Sequence, residues 1–187
     1  MKLEFCTSFS EIKDLNPNFA YGRMRIAYAG RNRNLSDISK EVFEAAIPTM
    51  YNCPVVARYD RENDQFGSHD IEVVVKDGKI KVINATAPLG IVPSGANWCW
   101  ETVEEDDGVQ REYLITDVLL WKRQEAYEHL REVEYVDQSM ECDFLKYHID
   151  EDDFCVADEI CFSAFCLLQG VEPCFESAGV QVFNEKS

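Results

Sequence analysis

Tyr135-Val136-Asp137-Gln138-Ser139-Met140-Glu141-Cys142-Asp143-Phe144 is the stretch of this 187-residue sequence that decides its fold. Mainly polar side chains alternate along it with mainly apolar ones, and a period of two predicts a half-buried β-strand. Ser139 then lies in mid-strand on the polar side, between Asp137 and Glu141. A serine in this setting usually belongs to a solvated strand face. The upstream loop Phe66-Gly67-Ser68-His69-Asp70 adds a second interpretation, in which Ser139 is a nucleophile and a histidine is its base.

The composition indicates a folded domain with an acidic surface. Hydrophobic residues make up 46% of the chain and aromatic residues 12%, as in globular proteins. The formal net charge is -17, from 35 acidic and 18 basic residues. Because such a surface repels phosphate backbones, we expect no nucleic-acid partner and favour basic protein segments instead.

Eight cysteines raise the question of a disulfide framework or a metal site. The sequence has no Cys-x-x-Cys pair and no two histidines at ligand spacing, so we expect no metal and no cofactor. Several cysteines alternate within apolar runs, where a thiol packs as a small hydrophobic group. The sequence shows neither a signal core nor a run of membrane-spanning length. We therefore expect an intracellular protein with reduced thiols and no membrane contact.

Local signals elsewhere in the chain are mostly those of strands. The two predicted helices span 38–47, capped by Ser36 or Ser39 and ended by Pro48, and 122–133. Asp77-Gly78 between two β-rich runs is a strong hairpin signal. Further strands are predicted at 2–9, 21–29, 55–59, 71–76, 79–83, 98–103, 113–121 and 160–168.

This pattern predicts a mainly β fold. Seven or more strands with two short helices, and no alternation of strand and helix, indicate a closed or partly closed β-barrel. We predict a single barrel domain over residues 1–175. A polar and loose C-terminal tail is predicted over residues 176–187.

The sequence contains three histidines, of which one is a candidate base. His129 lies in a predicted helix and His148 in a polar segment, and both are expected at the surface. His69 lies at a junction of loop and strand, where rigid scaffolds present functional groups. A serine nucleophile needs a base within hydrogen-bond reach, and the base needs a third group to hold its tautomer.

Five stretches share their order and spacing with a known family: Arg31-Asn32-Arg33-Asn34 before a helix, Phe66-Gly67-Ser68-His69-Asp70, Ala87-Pro88-Leu89-Gly90-Ile91-Val92-Pro93, Gln138-Ser139-Met140-Glu141 and Phe162-Ser163-Ala164-Phe165-Cys166. In this order they resemble the prohead (capsid-maturation) proteases of tailed bacteriophages, which are relatives of the herpesvirus assemblins. The resemblance covers most of the chain. It implies an assemblin-like barrel in which Ser139 is the catalytic nucleophile and His69 the base.

The third catalytic group is where the sequence departs from that family. A His, Glu or Asp should fall near positions 162–164, where this chain has Phe162, Ser163 and Ala164. Asp158 shares the strand parity of position 162, and it is therefore our first candidate for this role. The other candidates are Glu159, Glu141, Asp70 and Ser163, or no third group at all.

The resemblance also implies a function, partners and a location. It implies an endopeptidase that cleaves phage scaffold and major capsid polypeptides, with its own tail as a further substrate. Cleavage would take place inside an assembling prohead in the host cytoplasm. A homodimer stays open. Because the third catalytic residue is missing, the alternative is a non-catalytic structural or assembly protein of the phage head with the same fold. An unrelated acidic β-domain is the third interpretation.

Overall fold

The computed structural model describes residues 16–69, 71–133 and 135–182, so the predicted strand at 2–9 lies outside the described residues. The first elements are β1 (Phe19–Tyr28), β2 (Gly30–Arg31), β3 (Ser36–Ile38), α1 (Lys40–Met50), β4 (Pro54–Ala57), β5 (Tyr59–Asp60), β6 (Gln65–Phe66), β7 (Ile71–Lys76) and β8 (Lys79–Asn84). They are followed by β9 (Ala87–Ile91), β10 (Trp98–Glu104), β11 (Gln110–Trp121), α2 (Glu125–Val133), β12 (Tyr135–Ile149), β13 (Cys155–Leu168) and β14 (Gly179–Val182). Neither helix of these ranges has the length and apolar character needed to cross a membrane.

Seven strands close into a barrel. Around the ring the order is β12, β14, β1, β11, β9, β4 and β13, and the pairing of β13 with β12 closes it. The predicted mainly β barrel is therefore confirmed in its closed form, with two helices among the described residues. β12 and β13 run antiparallel from the Asp137–Leu168 pair to the Ile149–Cys155 pair.

The end of the described chain is part of the barrel. β14 pairs with β1 on one side and with β12 on the other. Ala178 and Val180 have no exposed surface. The predicted loose tail is therefore wrong for residues 176–182. A strand of four residues among polar neighbours has little local signal, and its pairing partners supply the stability.

The hairpin signal at Asp77-Gly78 is confirmed. β7 and β8 pair along their full length, from Ile71 opposite Asn84 to Lys76 opposite Lys79. Asp77 and Gly78 both have positive φ, at 54° and 71°, as a type I′ turn requires. This two-stranded sheet is separate from the barrel sheet.

Helix α1 has one of its two predicted caps, but it begins two residues later and ends three residues later than the predicted 38–47. Ser39 is its N-cap, and the backbone N–H of Val42 donates to the Ser39 hydroxyl at 3.3 Å. The helix continues through Pro48 to Met50, so the predicted stop at Pro48 is wrong. A proline in the last turn removes a single backbone donor, and the burial of Ile47 and Met50 favours the extra turn.

An aromatic core joins α1 to β13. The rings of Phe43 and Phe162 stack with centroids 6.3 Å apart, and Phe162 also contacts Phe165 at 5.7 Å. The hydroxyl of Thr49 accepts a hydrogen bond from the Phe162 N–H at 3.0 Å. Phe162 therefore holds β13 against the helix.

The cysteines are mostly, but not all, free thiols. Cys99 is disulfide-bonded, so the expectation of reduced thiols is wrong at this position. Sequence spacing does not show which thiols meet in space, which is the condition for a disulfide. The free cysteines of the described ranges are Cys53, Cys142, Cys155, Cys161, Cys166 and Cys174.

Candidate active site

Ser139 lies in β12, directly opposite Cys166 of β13. It is 4% exposed, which corrects the expectation of a solvated polar face. Its hydroxyl lies 3.7 Å from the Cys174 sulfur, in the segment that leads into β14. Because that segment belongs to the barrel, it covers the strand face that the sequence alone leaves open to water.

The His69 loop is attached to the end of β13. The side-chain oxygen of Gln169 accepts a hydrogen bond from the Phe66 N–H at 3.0 Å and another from His129 Nε2 at 3.0 Å. The Cys166 thiol donates to the Ser68 carbonyl at 3.7 Å. These contacts bring the loop to the part of the barrel that carries Ser139. They also bury His129, which is 6% exposed rather than at the surface as predicted.

His69, Glu141 and Cys166 form a cluster beside Ser139. The Nδ1 atom of His69 lies 2.8 Å from Glu141 Oε1. One donor atom from each of the three residues lies within 4.8 Å of the other two. Glu141 stands opposite Ala164, so it is the diagonal cross-strand neighbour of Cys166. The small side chain of Ala164 leaves room for the carboxylate.

A β-bulge lies next to this cluster. Glu141 pairs with Ala164 whereas Cys142 pairs with Phe162, so Ser163 is the extra residue on β13. Such bulges increase strand twist and re-aim side chains, and they are common beside active sites. Here the bulge separates Phe162, which points into the core, from the part of the strand that meets His69.

The cluster is electrostatically distinctive. Hydrogen bonds from the imidazole to the Cys166 sulfur and to the Glu141 carboxylate raise the pKa of His69 to about 10, against the opposing effect of burial. The ring is therefore an imidazolium at neutral pH, with Glu141 as its counter-ion. The side chains of His69 and Glu141 are 40% and 36% exposed, so solvent reaches them.

A cleft of about 390 Å³ adjoins the cluster. Its lining includes Glu141, Ser163 and Cys174, together with Asn32 and Asn34 of the polar turn after β2. Asn34 Nδ2 donates to the Cys174 sulfur at 2.6 Å. The cleft is thus bounded by the carboxylate that contacts His69 and by the thiol that contacts the Ser139 hydroxyl.

The first candidate for the third group lies elsewhere. Asp158 Oδ2 is 3.0 Å from Nδ1 of His148, which is exposed as predicted. Asp158 stands six residues before Ala164, which amounts to roughly 20 Å along a strand. The parity argument for Asp158 failed because β12 and β13 shift register at three places between these positions. The structure therefore corrects the assignment of Asp158 to His69.

The other candidates for the third group differ in whether they contact His69. Glu159 pairs with Lys146 at 2.5 Å, and Ser163 is exposed at the bulge. Asp70 lies outside the described residues. Of the candidates within the described ranges, Glu141 is the one whose carboxylate contacts His69.

Sequence reasoning missed Cys166 and Cys174 as neighbours of the site. Both were treated as small hydrophobic residues, and Cys166 is indeed fully buried. The alternation of β13 could have placed Cys166 on one side of its strand, but only the register with β12 puts it opposite Ser139. The nitrogen, oxygen and sulfur donors of His69, Glu141 and Cys166 are also the atoms that could hold a metal.

Comparison with known proteins links the chain to prophage proteins. A family model described as the YonD N-terminal domain matches residues 18–187. The SPbeta prophage-derived uncharacterized protein YonD of Bacillus subtilis (strain 168) is 33% identical over 97 residues, which are 48% of this chain and 20% of that protein. The match thus spans a fifth of the relative's length. No solved structure matches the chain.

Proposed function

This chain belongs to the YonD N-terminal domain family. From the geometry around His69, we propose that it is an endopeptidase of phage head maturation. The observation that carries the proposal is the 2.8 Å contact between His69 and Glu141. Glu141 lies two residues after Ser139 on β12, and Cys166, which also contacts His69, lies opposite Ser139. A hydroxyl, an imidazole and a carboxylate are thus neighbours, which is the composition of a serine acyl-transfer site.

Each group has a defined role in this proposal. The Ser139 hydroxyl attacks the scissile carbonyl carbon while His69 accepts its proton. The tetrahedral intermediate collapses, the peptide C–N bond breaks, and His69 returns the proton to the departing amine. Water then hydrolyses the acyl-enzyme with the same imidazole as base. Glu141 acts as the positioning residue, because it holds one ring nitrogen of His69.

The arrangement described here is a resting state in this proposal. The imidazolium has no free lone pair with which to accept a proton, and the Ser139 hydroxyl contacts Cys174 instead of His69. Catalysis therefore requires that His69 loses its proton and that the serine rotates toward it. A polypeptide bound in the cleft would contact Glu141 and Cys174, the two neighbours that hold His69 and Ser139 in place.

The substrates in this proposal are phage scaffold and major capsid polypeptides, cut within the prohead in the host cytoplasm. The support is the order of motifs shared with the prohead proteases and the prophage origin stated in the name of the matched relative. The net charge of -17 favours basic segments as the bound sequences.

The test is co-expression with the scaffold and capsid proteins of the same prophage, followed by mass spectrometry of the products. Ser139→Ala should abolish cleavage. Glu141→Gln should lower kcat by about 100- to 10,000-fold with a much smaller change in KM, because the lost interaction orients the base. Ser94→Ala, a change to an exposed serine in the loop after β9, is the matched control and should cleave normally. Equal processing by wild type and Ser139→Ala would refute the serine mechanism.

A second candidate function is a non-catalytic structural or assembly role in the phage head. It is favoured by the burial of Ser139, which leaves a substrate little access to its hydroxyl in this conformation. In that case the wild-type protein would bind head proteins in a pull-down without cutting them. Ser139→Ala and His69→Gln would then bind as well as wild type.

A further inference from the structure

We propose that His69, Glu141 and Cys166 bind a divalent transition-metal ion, with Zn²⁺ as the natural occupant. One donor atom from each residue lies within 4.8 Å of the other two. Zinc bonds of about 2.0–2.3 Å place tetrahedral ligand atoms about 3–4 Å from each other. Small side-chain rotations, with release to solvent of one proton from the His69 imidazolium and one from the Cys166 thiol, convert the present cluster into a coordination shell.

The fold holds two of the three ligands rigidly. Glu141 and Cys166 lie on adjacent, ladder-paired strands and are diagonal neighbours across them. The Cys166 side chain is completely buried, whereas His69 and Glu141 are partly open to solvent. A metal can thus enter from the histidine and carboxylate side and meet the thiol at the base of the site.

The donor set selects the class of metal. Imidazole and thiolate favour zinc and other transition metals, whereas Mg²⁺ and Ca²⁺ prefer sites made of oxygen alone. Three protein ligands with a fourth position open to water form a stable zinc arrangement. The sequence-based argument against a metal rested on local spacing, but these ligands come from three separate segments of the chain.

A bound metal would also regulate cleavage, a consequence that rests on the proposed endopeptidase activity. A metal on His69 occupies the lone pair that would accept the proton of Ser139. Bound zinc should therefore keep the enzyme inactive, and a chelator should activate it.

The test is titration of the purified, metal-free protein with Co²⁺, followed by displacement with Zn²⁺. We expect about one Co²⁺ per chain and a sulfur-to-cobalt charge-transfer band from Cys166. Cys166→Ser should lose the band and weaken binding by more than the roughly 10- to 100-fold that an outer-shell change costs. Glu141→Gln changes a partly exposed ligand and should weaken binding while the fold is kept. Cys174→Ser removes a neighbouring thiol outside the cluster and should bind as wild type does.

Two results would overturn the metal site. One is the absence of stoichiometric binding by the wild type, and the other is binding as tight as that of the wild type by both Cys166→Ser and Glu141→Gln. Ser139→Ala separates this inference from the protease. It should bind the metal normally even though it cannot cleave. A wild type that binds metal but never cleaves would refute the proposed function and leave the metal site standing.

The hairpin β7–β8 has an exposed apolar face. Val73 pairs with Val82 and Val75 with Ile80, so these side chains and Ile71 share one face of the hairpin. They are between 58% and 75% exposed. A two-stranded hairpin is marginal in water, and an apolar face of this kind marks an interaction surface.

We infer that this apolar face packs against the same face of a second copy of the chain. Apart from Asn84 opposite Ile71, the exposed side chains of this face are aliphatic, and such a face is complementary to itself, as a two-fold interface requires. Five such side chains from each copy would bury on the order of 1000 Å², the lower bound for a specific interface. The opposite face carries Lys76, Lys79 and Lys81, whose charges keep it in water, so the apolar face is the one left to pair.

Sedimentation equilibrium of the full chain tests this inference. The wild type should show a concentration-dependent dimer that Val82→Asp abolishes. Leu145→Asp makes the same change at an exposed residue outside the hairpin and should leave the dimer intact. A wild type that stays monomeric, or a dimer that survives Val82→Asp, would overturn the interface. A monomer that instead binds scaffold polypeptide through the hairpin would assign the face to that partner.

Discussion

Gln138 offers a quantitative test of how the Ser139 strand is fixed in the barrel. Its side chain has no exposed surface, and its Nε2 donates to the carbonyls of Arg25 at 3.1 Å and of Ile26 at 2.7 Å. β1 has an irregularity at this point, because Arg25 and Ala27 pair with consecutive residues of β11 and Ile26 is left out of the register. Gln138 thus supplies the donor that the ladder does not. Gln138→Met keeps the length of the side chain and removes that donor.

The expected cost follows from the groups left unpaired. Each buried carbonyl that loses its donor costs about 1–3 kcal/mol. Loss of the Gln138 amide also removes its own Oε1, which is buried without a partner among the described residues, and this returns about 1 kcal/mol. The net destabilisation is about 3 kcal/mol, with a range of about 1–5. For a chain of this size, about 3 kcal/mol lowers Tm by about 6–12 °C.

Urea unfolding followed by circular dichroism measures the effect, and an unchanged m-value shows that the loss is one of stability alone. Gln110→Met is the matched control, since Gln110 is exposed at the start of β11 and should change stability by less than about 0.5 kcal/mol. If both variants unfold at the same urea concentration as wild type, the side-chain amide of Gln138 does not bridge β12 to β1.

Two further predictions test other parts of the barrel. Gly179→Ala should destabilise the folded protein by about 1–3 kcal/mol in thermal unfolding. The added Cβ would lie 2.7 Å from the Val136 carbonyl and against the Tyr135 ring. An unchanged stability would support a loose tail. Asp117 is buried, and desolvation raises the pKa of its carboxyl, so its charged form destabilises the fold increasingly as pH rises above the ordinary carboxyl pKa of about 4. Asp117→Asn should therefore raise Tm at neutral pH but not in acid, where the wild-type carboxyl is already protonated, and an equal gain at both pH values would contradict this.

Much of the fold could be predicted because its signals are local. Alternation with a period of two identified β12, and a nearly continuous apolar run over 160–168 identified most of β13. Asp77-Gly78 identified a hairpin whose turn has the expected positive φ angles. Ser39 marked the start of α1 through its hydrogen bond to Val42 N–H. Each of these features depends on residues that are near each other in the chain. The same local logic led to the barrel, since many strands without crossover helices have few other ways to bury their apolar faces.

The candidate site was predictable only in part. His69 and Ser139 were identified from their local settings, and the barrel places them in neighbouring parts of the molecule. The carboxylate beside His69 was assigned to Asp158 on strand parity, and the structure has Glu141 there. No spacing motif in the sequence marks the metal site that we propose, because its three residues come from separate segments of the chain.

By itself the sequence determined most of the strands, the approximate positions of both helices and the alternation of side chains along β12. Only the tertiary structure decided which strands are neighbours, where β14 inserts, and that Glu141 and Cys166 meet at His69. The physical reason is that contacts between distant segments depend on pairing register. Each bulge between β12 and β13 shifts that register, so the partner of a side chain is set by the whole ladder and not by its neighbours in sequence.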